Sequence, residues 1–127
     1  MITIKEVKTN KDIRDFITFP LKLYKDCDNF VPPLYADERA LLKSGGNSSV
    51  GSSVFYLALR DGKVVGRIQG ILQKQYNQMH NEKRIRFTRF DAINDKDVAS
   101  ALFSAVERWG QALGMDTICG PLGFKDL

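Results

Sequence analysis

The chain has 127 residues, which suits one domain and leaves no room for two. Its hydrophobic fraction of 43% is ordinary for a chain with a buried core and excludes wholesale disorder, and no apolar run approaches the roughly 20 residues a membrane-crossing helix needs. The net charge of +4 gives mildly basic surfaces that favour an anionic partner, without choosing between nucleic acid and a phosphorylated cofactor.

Residues 2–7 alternate around Ile2, Ile4 and Val7 and predict a short half-buried strand. The start has no charged region followed by a long apolar stretch, so it is not a secretory signal and the cytosol is the expected compartment. Thr9 and Asn10 offer capping oxygens for a helix, with Asp12 near its positive end and Ile13, Phe16 and Ile17 as its apolar stripe. Pro20 is expected to break or kink that helix, and Leu21, Leu23 and Tyr24 to start a second short turn. Phe30, Val31, Pro32 and Pro33 predict extended backbone, followed by a short helix from about Tyr35 to Lys43.

Residues 44–53 are rich in Gly and Ser and predict a loop. Residues 54–59 and 64–72 are the most secure element, two strands joined at Asp61-Gly62, a pair that tolerates the positive φ of a tight hairpin turn. The polar stretch 73–83 reads as a loop, and 85–93 as a strand with Phe87 and Phe90 on opposite faces. Asn94, Asp95, Lys96 and Asp97 then open a helix with a cap and two acids in its first turn. Val98, Leu102, Ala105, Trp109 and Leu113 repeat at helical spacing, and Gly114 can close the helix in the left-handed conformation. Residues 117–120 read as a last buried strand, ended by Pro121. The order is β, α, α, β, β, β, α, β. It predicts an α/β (α+β) domain over 1–127, with a mixed, mostly antiparallel sheet flanked by helices.

Few residues suit other chemistries. Cys27 and Cys119 stand far apart without further ligands at metal spacing, so no metal site is expected and both read as buried apolar side chains. His80 is the sole histidine, and its polar neighbours 76–81 read as a solvated connection that would otherwise line an acceptor pocket. Arg67, Lys74, Lys83, Arg84, Arg86 and Arg89 gather around the central strands and, if they share a face, would suit a phosphorylated ligand or a nucleic-acid backbone. The spaced aromatics and glycine of a base-stacking sheet are absent, so nucleic acid is the least favoured partner.

The hairpin Ala58-Leu59-Arg60-Asp61-Gly62-Lys63-Val64-Val65-Gly66-Arg67-Ile68, within this element order, resembles the second and third strands of GNAT N-acetyltransferases. Phe30-Val31-Pro32-Pro33-Leu34, Val65-Gly66-Arg67-Ile68 and Gly120-Pro121-Leu122-Gly123 are similar to segments of larger bacterial GNAT-like proteins. The resemblance implies direct acyl transfer from acetyl-CoA or another acyl-CoA to an amine acceptor. In the family the acyl-CoA lies where the fourth and fifth strands splay apart, its pyrophosphate held by amides at the start of the intervening helix in a loop of pattern Q/R-x-x-G-x-G/A. A helix N-terminus suits an anion because its first N–H groups are unpaired and its dipole end is positive.

By that resemblance the cofactor-binding positions are Ile93, Asn94, Lys96, Asp97, Val98 and Ala99. Ala99 satisfies the last position of the loop, whereas Asn94 replaces Gln/Arg and Asp97 replaces the first glycine. A carboxylate at Asp97 would cap the helix itself and repel a pyrophosphate, with Lys96 offsetting some of that charge. The family's base, often a Glu on the fourth strand, maps to Asp91, and its acid, a Tyr after the fifth strand, has no equivalent before Leu127. The family also places a helix and a strand hairpin after the fifth strand. The expectation is therefore a sheet lacking its C-terminal strands, its exposed edge covered by a second copy or a further segment. The alternative function is a GNAT-like scaffold without catalysis, serving as a structural or ligand-binding part of a larger protein.

Overall fold

The computed structural model describes residues 1–26, 35–43, 51–120 and 123–126. Six strands form one sheet in chain order: β1 (Ile2–Glu6), β2 (Gly51–Arg60), β3 (Lys63–Gln73), β4 (Arg84–Ala92), β5 (Thr117–Gly120) and β6 (Gly123–Asp126). Every neighbouring pair is antiparallel except β4 and β5, which run parallel because a helix crosses between them. That helix, α4 (Lys96–Ala112), covers one face, and α1 (Asn10–Leu23) and α2 (Tyr35–Lys43) lie on the other. The expected extended segment 30–34, most of the Gly/Ser loop, Cys27 and the Pro121-Leu122 corner lie outside the described residues.

Alternation along β2 divides the core between the faces. Ala58 joins Ile68, Ile85, Val98, Leu102 and Val106 under α4, while Phe55 and Leu57 meet Ile13, Phe16 and Ile17 of α1 and Leu42 of α2. Gly66 sits directly beneath α4, where a Cβ would come within 2.8 Å of Leu102. At the β2–β3 turn Asp61 and Gly62 take φ of 53° and 80°, the left-handed pair expected of this hairpin.

The start of α1 follows its sequence signal. The Thr9 hydroxyl accepts from the Asp12 amide at 3.1 Å, and Asp12 accepts in return from the amides of Thr9 and Lys8. Thr9→Ala removes the cap and is expected to lower stability by about 1 kcal/mol in denaturant unfolding. Burial pushes the Asp12 carboxyl up, but Lys5 at 2.8 Å, the Lys8 and Thr9 amides and the Thr9 hydroxyl outweigh it and hold the pKa at about 2. Because the folded value lies below the ordinary 3.8, this contribution is complete above about pH 4 and is lost as pH falls towards 2. On the order of 1–2 kcal/mol should disappear across that window in acid titrations of stability, and Asp12→Asn should flatten the response.

Six expectations change. Pro20 lies inside α1, which continues to Leu23 without a break. The proline removes the hydrogen bond to the Phe16 carbonyl, and the Arg67 guanidinium of β3 donates to that oxygen instead, at 2.9 Å. Residues 74–80 are a helix, α3 (Lys74–His80), rather than a loop. It is held by buried Asn77 donating to the Arg84 carbonyl, by Tyr76 packed on His80 with ring centroids 4.3 Å apart, and by Asn81 ending it at φ 53°. The first hairpin strand begins at Gly51 rather than Val54, and Leu113 at the end of the α4 stripe is exposed. The strand β5 is not the last one, because β6 pairs with it from Gly120↔Gly123 to Thr117↔Asp126.

The sixth change concerns β4. Between the pairs Arg67↔Asp91 and Gln69↔Thr88, β3 advances two residues and β4 advances three. The extra residue is accommodated with Arg89 in the left-handed region, at φ 50°. The bulge reverses the alternation, so Phe87 and Phe90 share a face. Both meet Phe103 of α4, at 4.9 and 4.7 Å between ring centroids.

Candidate functional site

The strand pair that flanks α4 determines where a ligand can enter. Pairing of β4 with β5 covers Arg84↔Thr117, Ile85↔Ile118 and Arg86↔Cys119 and then stops. Among the described residues, 87–92 of β4 have no strand partner on that side. Phe87 sits over Gly120 at the point where the pairing ends, in space that a side chain there would need. At the far end of this open stretch a groove of about 380 Å³ is lined by Phe90, Ala92, Ile93, Asn94, Asp95, Lys96 and Ala99. The first turn of α4 forms one of its walls.

Of the sequence-derived positions, Ile93, Asn94, Lys96 and Ala99 line this groove. Asp97 is exposed in the first turn of the helix. Val98 is fully buried, so its side chain belongs to the core. The residue that caps the helix is Asp95, not Asp97: its Oδ1 accepts from the Asp97 amide at 2.8 Å. Its Oδ2 is 2.6 Å from Arg60 at the end of β2. The Arg60 hydrogen bond, and then the Asp97 amide, hold the Asp95 carboxyl below the usual carboxylate range. The protein's own carboxylate thus occupies part of the anion position at this helix end, and Arg60 neutralises it. The acidic run 94–97 showed that a carboxylate would sit here; which of the two caps depended on where the helix begins.

On the opposite face of β4, Asp91 lies in a polar network under α1. Its Oδ2 accepts from Arg67 Nε at 2.9 Å and its Oδ1 from the Tyr24 hydroxyl at 2.8 Å. The Arg67 side chain is almost wholly buried and stacks 4.8 Å from the Phe16 ring centre. Burial pushes its guanidinium pKa down, and Asp91 opposes that shift. Beside it, Arg89 donates to both oxygens of buried Glu38 on α2, at 2.8 and 3.0 Å, and to Gln69 at 2.8 Å. Sequence reasoning missed Tyr24 and Glu38. Their positions relative to β4 depend on how α1 and α2 dock, and no local pattern records that.

The basic cluster is largely engaged within the protein. Arg67 and Arg89 hold carboxylates, Arg84 is 3.2 Å from Glu82 and stacks on Tyr76, and Arg86 donates to Gln73. His80 packs on Tyr76. Cys119 is a buried free thiol, and no cluster of three or more metal-ligating side chains occurs among the described residues. No helix among them is long and apolar enough to cross a membrane.

This sheet, with its parallel β4–β5 pair around α4, is the GNAT acyltransferase fold. A tandem GNAT protein from the clavulanic acid biosynthesis pathway superposes with a TM-score of 0.76 at 12% identity, covering 94% of this chain and 36% of that one. A predicted acetyltransferase from Clostridium acetobutylicum, solved with acetyl-CoA, superposes at 0.68 with 11% identity, covering 97% and 84%. No family model matches the sequence. By sequence it is similar to protein YghO of Escherichia coli K12, 31% identical over 124 residues, 96% of this chain and 32% of that protein. It is also similar to the bacterial ceramide synthase of Caulobacter vibrioides, 29% identical over 128 residues, 98% of this chain and 33% of that protein. The chain thus spans about a third of the length of these curated relatives.

Proposed function

We propose that these residues form an acyltransferase unit in which an acyl-CoA thioester is attacked directly by an amine, giving an amide and free CoA. The observation that carries this reading is the groove at the start of α4, at the end of the stretch of β4 that has no β5 partner among the described residues of a GNAT fold. Phe90, Ala92, Ile93 and Ala99 offer an apolar wall for the pantetheine arm. Asn94 and Lys96 suit its phosphates, beside a helix end whose Asp97 and Val98 amides are already directed at Asp95. Acyl-CoA is the cosubstrate of this reading, and Asp91 stands on the strand from which the acceptor amine would be managed.

The acceptor class follows from one relative. The Caulobacter protein is described as a bacterial ceramide synthase, and a ceramide is an N-acylated long-chain amino alcohol, so sphinganine is the first acceptor to test. Titration calorimetry with acetyl-CoA and hexadecanoyl-CoA, followed by mass spectrometry of sphinganine incubated with each, examines both halves on the full-length chain. Binding with amide formation is the expected result; no binding of either thioester would sink the reading. Asp95 favours a second one, a GNAT-like scaffold without transfer, because its carboxylate sits where a pyrophosphate would bind. Thioester binding with no amide from any amine tried would favour that scaffold.

A further inference from the structure

We propose that Phe87, Phe90 and Phe103 form the seat of the acyl chain and select a long-chain thioester over acetyl-CoA; this rests on the acyltransferase reading above. The groove has a polar end and an apolar one. Asn94, Asp95 and Lys96 stand at the start of α4, while Phe90 and Ala92 stand further back along β4. A thioester with its phosphates at the polar end therefore directs its acyl group past Phe90 and towards Phe87.

In that direction lies a row of rings on the same side of β4 as the groove. Phe103 is one turn beyond the groove-lining Ala99 on α4, so the two share a face of the helix. Its ring meets Phe90 at 4.7 Å and Phe87 at 4.9 Å between centroids, the second contact edge-to-face at 84°. A regular strand would send Phe87 and Phe90 to opposite faces, and the bulge at Arg89 brings them together. The row ends at Phe87, which lies across the backbone of Gly120, the last residue of β5, in space that only a glycine leaves.

All three rings are only partly buried, although they pack against the core beneath α4. They stand beside a stretch of β4 with no β5 partner among the described residues, and Phe90 joins them to the groove. The result is an apolar surface continuous with the place where the thioester enters. An acetyl group adds a single methyl to the thioester carbonyl and has nothing with which to cover that surface. An alkyl chain covers it, and each methylene it removes from water there strengthens binding up to about fourfold.

Calorimetry on the full-length chain compares acetyl-CoA with hexadecanoyl-CoA, the latter kept below its micelle concentration. Wild type should bind hexadecanoyl-CoA at least about tenfold more tightly. Phe103→Gln sets a polar side chain in the middle of the row and keeps a good helix former on α4. It should weaken hexadecanoyl-CoA about tenfold or more and leave acetyl-CoA unchanged. Phe103→Leu keeps the position apolar and should retain most of the wild-type preference. The ratio of the two Kd values is read on one folded preparation, so a lowered unfolding midpoint does not imitate the result. A smaller wild-type preference, an equal loss for both thioesters in Phe103→Gln, or tighter hexadecanoyl-CoA binding there overturns the inference and leaves the acyltransferase reading intact. If neither thioester binds wild type, that reading falls, and the inference with it.

Discussion

Arg67→Ala is expected to destabilise the fold by about 3–5 kcal/mol, the range for breaking a buried ion pair from one side. The change leaves Asp91 without its cation and the Phe16 carbonyl without the donor that replaces the bond lost at Pro20. It also opens space against the Phe16 ring. Denaturant unfolding at neutral pH measures the loss. The double variant Arg67→Met/Asp91→Leu should recover most of it, because a buried pair replaced by packed apolar groups is often neutral. Pro20→Ala should partly relieve the single variant by restoring an N–H inside α1. A loss below about 1 kcal/mol for Arg67→Ala would mean the pair is hydrated and behaves like a surface contact.

Ala99→Trp should abolish acyl-CoA binding, weakening it at least about a hundredfold, because a bulky ring at that position fills the groove the thioester needs. Ala99 is only partly buried, so the fold should tolerate the change, and an unchanged unfolding midpoint checks that. Asp95→Asn should act in the opposite direction. Asparagine caps a helix about as well as aspartate, so α4 keeps its start while the groove loses a negative charge and Arg60 is released towards the ligand. Removing one nearby like charge should tighten binding about tenfold in calorimetry. Weaker binding in Asp95→Asn would show that the carboxylate orders the groove rather than obstructs it.

Most of the fold was legible in the sequence, because periodicity and turn chemistry act locally. The capping box at Thr9 and Asp12, the Asp61-Gly62 hairpin, the α2 limits at Tyr35 and Lys43 and the β5 limits at 117 and 120 all follow from neighbouring residues. The failures share a different cause. The passage of α1 through Pro20 depends on Arg67, 47 positions further along the chain, and the α3 helix depends on the Arg84 carbonyl and on ring stacking. Helix propensity within 17–24 or 73–83 contains neither fact. At the candidate site, the groove positions were reachable through the family resemblance. The partners of Asp91 were not, because Tyr24 reaches it only after α1 has docked on the sheet and Arg67 meets it only in the bulged β3–β4 register.

The extra residue in β4 has a consequence for how this region can change over evolutionary time. Upstream of Arg89 odd-numbered side chains such as Ile85 and Phe87 face α4, and downstream of it even-numbered ones such as Phe90 and Ala92 do. Dropping one residue at 88 or 89 would therefore remove the bulge and leave a regular strand on which Phe90 and Ala92 still face α4, whereas an unbulged strand of the present length would invert everything that follows. Phe90 would be driven towards the polar network and Asp91 into the apolar layer against Phe103. The left-handed backbone at Arg89, more than the length of the stretch, is therefore what keeps these side chains on their faces.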